Sequence, residues 1–346
     1  MRKVLKIVLF VVGVIVLCGV VFSCMALGSC VSVPEGSKPD RLCVYPGATT
    51  EDVMDSLSQK GTLDYGFVVR TVFTMVGSRY GGFRAGSYEL TNGISPLRLA
   101  LNVARGYQTP VRVSFNNIRT KEQLCARLAS SLLLDSADVA KVLASDSLQK
   151  AYGLDSTTML CIFLPDTYEF YWTVTPVALL DKFHKAYTDF WTPARTQKAR
   201  RAGLTPPQAM TLASIVEEES NLREEQPRIA GLYLNRLHKG MKLQADPTVK
   251  FATGDFTLRR ILLEHINATR NNPYNTYTHT GLPPGPIRIP SKSTIEAVLQ
   301  YEQHDYLFMC AKGAGLPGHN FTVTYGEHQK NAASYQQGLD RRGIRK

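Results

Sequence analysis

From Ile7 to Val33 the chain carries no charged residue, and Arg2, Lys3 and Lys6 stand just before that run. About 20 such residues suffice to cross a bilayer, whereas a soluble domain has nowhere to expose them. Basic residues in front, with none just behind, predict a cytoplasmic tail over 1–6 and an anchor over 7–30. The bulk of the chain is then expected on the extracytoplasmic side of the inner (cytoplasmic) membrane. A cleaved signal peptide is a competing reading, but its apolar core is shorter. Leu27-Gly28-Ser29-Cys30 offers a third reading, a loose lipobox that would put a lipid on Cys30. The length of the run favours the uncleaved anchor. No second run of spanning length follows, so a single pass is expected.

With 346 residues, 44% of them apolar and 20% charged, the remainder has the composition of globular domains. The formal charge of +11 suits an anionic membrane surface or an acidic polymer. Nucleic acid is disfavoured, because an exported domain rarely meets it and no basic strip is interleaved with aromatics. Beyond the anchor, Cys43, Cys125, Cys161 and Cys310 are scattered without a Cys-x-x-Cys pair, which excludes a zinc ribbon and defines no disulfide framework. Buried free thiols are the expected state.

Residues 31–40, with Pro34, Gly36 and Pro39, read as a linker. Arg41 to Tyr45 has strand character, and Thr49 can cap a helix through Leu57. A helix over Phe67 to Val76, a strand at Gly86 to Leu90, a helix at Pro96 to Ala104 and a strand at Val111 to Phe115 follow. Thr120 caps the next helix, so strand, turn, Thr cap and Glu-bearing helix start occur twice. Two small β-α units, or a coincidence between two ordinary capped helices, account for that similarity. From about residue 135 the chain reads as mostly helical. Tyr274 to Pro290, with Pro283, Pro284, Pro286 and Pro290, is an extended, rigid loop.

The richest segment for chemistry is Leu212 to Ser220, where three glutamates end an apolar helical run. Thr205 can cap that helix, and Pro206 and Pro207 suit its first turn. On a wheel of roughly 100° per residue, Ala209, Leu212, Ala213 and Val216 share one face, and Glu217 lies within about 70° of its centre. Glu218 points the opposite way, into solvent, and Glu219 sits on the flank. A carboxyl carried into an apolar environment has a raised pKa and can protonate a leaving oxygen. An ordinary solvated charge run is the bland alternative. Downstream, Asn235-Arg236-Leu237, Leu243 to Thr248, Tyr274-Asn275-Thr276-Tyr277 and His319-Asn320-Phe321 combine amides, hydroxyls and rings in the way sugar-binding grooves do.

Taken in order, Ser214-Ile215-Val216-Glu217, Asn235 to Leu237, Leu243 to Thr248, Tyr274 to Tyr277, Gly281 to Ile287, His319 to Phe321 and Glu327-His328 resemble the YceG-like endolytic murein transglycosylases. Leu164 to Tyr168 matches a further element upstream. The resemblance implies an α+β protein with an N-terminal transmembrane helix, a small LysM-like α/β domain at 41–115 and a mixed α+β catalytic domain at 116–346. It implies cleavage of the β-1,4 bond between N-acetylmuramic acid and N-acetylglucosamine inside glycan strands, leaving a 1,6-anhydro end and terminating growing strands near the membrane. Peptidoglycan, the membrane and peptidoglycan synthases are the implied partners, with no cofactor and no metal. Carried onto this chain, the catalytic glutamate is Glu217, acting as acid and then as base. Glu219, Gln244, Asp246, Tyr274, Asn275 and His319 are the candidates for holding substrate or orienting it. Asn116-Asn117-Ile118 departs from the family's Pro-Glu-Gly turn, which puts the boundary near 115 and the glycan-binding role of the LysM-like region in doubt. A muramidase using water and a non-enzymatic wall-binding scaffold are the alternative functions.

Overall fold

The structure is a computed structural model that describes residues 2–32, 40–59, 64, 66–313 and 316–341. Helices dominate, with three two-stranded sheets, and the chain divides into two compact units. The first unit comprises 1–113 with short returns at 130–134 and 168–175, and the second holds the rest. Most of the expected linker, 31–40, lies outside the described residues.

The first unit begins with α1 (Arg2–Leu27), followed by β1 (Asp40–Val44), α2 (Thr50–Ser58), α3 (Gly66–Tyr80), β2 (Gly86–Leu90), α4 (Pro96–Arg105) and β3 (Val111–Ser114). α1 is long and apolar enough to span a membrane. It differs at both ends from the expected anchor over 7–30, because a charge marks the membrane's edge without ending a helix. Arg2, Lys3 and Lys6 are therefore helical, and the helix closes at Leu27, before Gly28. Cys30 is fully buried; its thiol donates to the Ile94 carbonyl at 3.3 Å, and its own carbonyl accepts from the Asp64 amide at 2.9 Å. A diacylglyceryl group on that sulfur has no room, so the lipobox reading does not fit the structure.

β1 pairs antiparallel with β2, Asp40 opposite Leu90 and Val44 opposite Gly86. Alternation sends Leu42 and Val44 into a core shared with Val69 and Phe73 of α3 and with Leu99 and Val103 of α4. Thr49 caps α2 through a reciprocal capping box with Asp52.

The second unit contains α5 (Lys121–Ala129), α6 (Ser136–Leu143) and α7 (Asp146–Ala151). β4 (Thr167–Phe170), which pairs with β3, lies almost wholly in the return of the chain to the first unit, after which the second continues with α8 (Pro176–Phe190), α9 (Pro193–Arg201), α10 (Pro206–Glu219), α11 (Gln226–His238), α12 (Asp246–Thr253) and α13 (Leu263–Ala268). α14 (Lys292–Leu299), a hairpin of β5 (Phe308–Ala311) and β6 (His319–Thr322), and α15 (Tyr325–Arg341) complete it. α10 is the axis of the unit and packs against α11, α12 and α14. Asn117 holds a left-handed φ of 53° in the turn after β3, a conformation that asparagine tolerates.

Candidate active site

α10 starts as its sequence dictates. The Thr205 hydroxyl accepts from the Gln208 amide, Gln208 answers on the Thr205 amide, and prolines occupy the first turn. Every residue from Ala209 to Val216 is buried, so this helix has no wet side. A helix buried all round gives a helical wheel no solvent direction against which to orient the charges at its end.

The three glutamates enter two different environments. Glu217 forms an ion pair with Arg288 at 3.2 Å and accepts from the Ser291 amide at 2.6 Å. Glu218 accepts from Arg288 at 2.8 Å and from both Arg119 nitrogens at 3.1 Å. Neither side chain is more than 16% exposed. The expectation of a wet Glu218 is thus reversed, because the wheel contains no information about two arginines at positions 119 and 288. Glu217 is likewise enclosed by charge and hydrogen bonds rather than by apolar groups.

Glu219 turns the other way, into a cavity of about 450 Å³. It keeps some accessible surface because it lines that cavity, yet burial pushes its carboxyl up to about 7, while the Tyr233 hydroxyl, donating at 2.7 Å, restrains the rise. The desolvated acid expected at Glu217 is therefore found two residues later. Tyr233 gave no signal in the sequence, being one more ring in an apolar helix.

Four of the residues expected at the site, Glu219, Gln244, Asp246 and His319, line this one cavity. Gln244 sits at a left-handed φ of 51°, unusual for a residue with a Cβ, and its Oε1 accepts from Arg236 at 3.2 Å. Asp246 accepts from the Tyr277 hydroxyl at 2.5 Å, and burial raises its carboxyl although that bond opposes the rise. The imidazole Nδ1 of His319 lies 3.0 Å from Glu225, which also accepts from the His319 amide at 2.9 Å. Gly318 makes that approach possible, since a Cβ there would meet the Glu225 carboxylate at 2.3 Å.

The remaining expected residues lie elsewhere. Asn275 is fully buried, donating to the Ile266 carbonyl and Thr269 hydroxyl and accepting from the Tyr277 amide, so it pins its own loop. Tyr274 packs on Phe251 with ring centroids 4.7 Å apart and is absent from the cavity lining. Neither lines the cavity that Glu219 faces. Glu217 too stands outside the lining.

Several motif residues form the frame of the site. Arg236 donates to the carbonyls of Leu307 and Leu243 at 2.6 and 2.7 Å, and Asn235 donates to those of His304 and Tyr306. Thr248 and Thr276 share a 2.8 Å hydroxyl bond that ties the Leu243–Thr248 segment to the loop after α13. The Pro-rich loop is irregular throughout and is held close, because a Cβ on Gly285 would stand 2.1 Å from the Thr157 carbonyl. The β5–β6 hairpin and α15 close the cavity with Met309, Cys310, Ala311, Tyr325 and His328. Sequence reasoning did not place that hairpin, and it quoted the Glu327-His328 pair without a site role. Among the described residues the buried Nδ1 of His328 has no hydrogen-bond partner, and burial lowers the pKa of its imidazole.

One acid with a pKa near neutrality, an adjacent carboxylate and several fixed polar groups can deliver a proton to a bound oxygen and retrieve one. Comparison with known proteins gives that chemistry a context. The sequence profile of the YceG-like family matches residues 42–334. A Bacillus subtilis protein named endolytic murein transglycosylase is 29% identical over 271 residues, covering 73% of each chain. A Streptococcus pneumoniae protein of the same name is 24% identical over 309 residues, 81% of this chain and 54% of its own length, so the chain spans about half of that relative. The crystal structure of a YceG-like protein from Listeria monocytogenes superposes with a TM-score of 0.57 at 25% identity, covering 85% of this chain and 98% of that one.

Proposed function

The chain belongs to the YceG-like family, and from that premise we propose that it is an endolytic murein transglycosylase with Glu219 as its acid and base. The observation that carries this reading is the carboxyl of Glu219, raised to about 7 inside the cavity that it shares with Gln244, Asp246 and His319. Relatives named endolytic murein transglycosylase support the substrate, the bond between N-acetylmuramic acid and N-acetylglucosamine within glycan strands.

In this mechanism protonated Glu219 gives its proton to the glycosidic oxygen as the bond to C1 of the muramic residue breaks. The resulting carboxylate takes the proton of that sugar's 6-hydroxyl while O6 closes on C1. Glu219 ends as it began, and the product carries a 1,6-anhydro end. An acid matched to the working pH serves both halves of such a cycle. Asp246, oriented by Tyr277, is placed to offset positive charge developing at C1. Gln244 and His319 supply hydrogen bonds to sugar substituents, while Glu217 and Glu218 anchor the end of α10 to Arg288 and Arg119.

A second reading has one observation in its favour. Two carboxylates, Glu219 and Asp246, face the same cavity, and glycosidases commonly use such a pair to cleave with water. Mass spectrometry of products from purified glycan strands separates the two, because hydrolysis leaves ends heavier by one water. Anhydro ends from the native chain and none from Glu219→Gln are expected. Full activity of Glu219→Gln would sink the assignment of the acid.

The apolar α1 supports a single-pass protein of the inner membrane with the chain after α1 on the extracytoplasmic side. Tethering at that surface suits the ending of growing strands beside a synthase. The small β-α-α-β arrangement formed by β1 to β2 supports a LysM-like role in gripping glycan.

A further inference from the structure

The first unit carries an apolar groove of about 420 Å³ that the glycan chemistry does not use. Its walls are Phe22 and Leu27 from the last turns of α1, Val72 and Met75 from α3, and Leu97 and Leu101 from α4. Helix geometry sets its depth relative to a bilayer. A hydrocarbon layer of about 30 Å takes roughly 20 residues at 1.5 Å each. Lys6 is the last charge before the run, so a layer entered at Ile7 is left near Ala26 or Leu27. The groove therefore opens where acyl chains meet headgroups, and α3 and α4 lie at that level because they pack on α1.

The surface around it has the composition of such a boundary. Met75 is 63% exposed and Phe67, on the same helix, 79%, a state that water does not favour. Tyr80 and Arg79 line the groove beside them. The Arg105 guanidinium donates to the Tyr80 hydroxyl at 2.8 Å and stacks 5.4 Å from the centre of its ring. Apolar walls topped by a tyrosine and two arginines match the aromatic and basic belt that anchors proteins at a headgroup layer.

We infer that this groove binds an anionic phospholipid of the bilayer crossed by α1, with an acyl chain between α1, α3 and α4 and its phosphate at Arg79 and Arg105. The lipid fixes the first unit against the membrane surface, so the tether behaves as a rigid mount. This inference rests on α1 as a membrane span and is independent of the cleavage reaction.

The test uses the full chain in nanodiscs of phosphatidylglycerol or of phosphatidylcholine. Native mass spectrometry is expected to retain one phosphatidylglycerol per chain, and hydrogen exchange is expected to show protection of α3 and α4 relative to detergent. Each arginine is expected to contribute about five-fold to lipid affinity, so Arg79→Gln with Arg105→Gln weakens retention by about twenty-five-fold. Arg79→Lys with Arg105→Lys retains the lipid, and melting curves of both variants establish that the fold persists. Equal retention of both lipids, unprotected α3 and α4, a membrane protein in place of lipid, or failure of the chain to enter nanodiscs would each overturn the inference. Strand cleavage measured on the same samples reports on the enzyme separately, since loss of cleavage with intact lipid retention counts only against the proposed function.

Discussion

The last turn of α10 presents two faces that differ in nearly every physical respect. One carries Glu217 and Glu218 into a cluster with Arg288 and Arg119, at separations of 2.8 to 3.2 Å. The other carries Glu219 into a cavity where it accepts a hydrogen bond from a phenol, Tyr233, at 2.7 Å. The same side chain, one or two positions apart, is tied to arginines on the first face and is an acid with a pKa of about 7 on the second. Proximity in sequence thus says little about role here. The surroundings do: Glu217 and Glu218 are paired directly with arginines, whereas for Glu219 burial outweighs both the Tyr233 hydrogen bond and the charge of Arg236.

The sharpest way to break this comparison is to remove each carboxyl in turn. Glu219→Gln is expected to lower strand cleavage by about a thousand-fold, within the range of a lost general acid. Glu217→Gln, measured per folded protein, is expected to stay within about ten-fold of the native rate. If the two variants behave the other way round in release of anhydro-ended fragments, the roles of the two faces are exchanged.

Stability tests the ionic face. Arg288→Ala leaves two carboxylates without their shared cation and is expected to cost about 3 kcal/mol in urea unfolding. Arg288→Lys recovers only part of that, because a single ammonium cannot reach both. An unchanged midpoint for Arg288→Ala would mean that this cluster does not fix the end of α10. Asn275→Ala, which orphans the Ile266 carbonyl and the Tyr277 amide, is expected to cost about 2 kcal/mol and to leave kcat of the folded fraction unaltered.

The acidic face is tested with pH. The raised pKa of Glu219 means that the folded chain holds a proton which the unfolded chain releases near 4.5. Its contribution to stability is therefore complete below about 4.5 and is lost as pH rises towards 7. Glu219→Gln should flatten that part of the stability profile. Tyr233→Phe removes the bond that restrains the rise, so the alkaline limb of the activity profile is expected to move upward. A limb that stays in place would remove Tyr233 from the control of the acid. The smallest effect is expected at Gln244. Glycine relaxes a left-handed φ, so Gln244→Gly should change stability by less than about 1 kcal/mol, while KM increases through loss of the side-chain contact.

Much of the scaffold was legible in the sequence because local chemistry writes it. Thr205, Pro206 and Pro207 announced the start of α10, Thr49 that of α2, and the uncharged run announced α1. The cavity was legible in part, since Gln244, Asp246 and His319 meet in it. Which glutamate faces it was not, because α10 is buried all round and its end is oriented by Arg119, Arg288 and Tyr233, none of them local to a wheel. Asn275 and Tyr274 misled for a related reason, since an amide and a ring that suit a sugar suit a loop's own carbonyls and a phenylalanine equally well. The β5–β6 hairpin escaped notice because its two strands are only four residues each and show no clear alternation.

That hairpin also sets a schedule. α10, with Glu219 at its end, is synthesised before the part of the cavity wall that Met309, Cys310, Ala311, His319, Tyr325 and His328 supply. Until those residues have been synthesised, that part of the wall is missing from the cavity around Glu219. A chain cut after residue 307 should therefore retain α1 to α14 and yet release no fragments from glycan strands. On this plan the cavity is completed from the β5–β6 hairpin and α15, after α10 to α14 have been made.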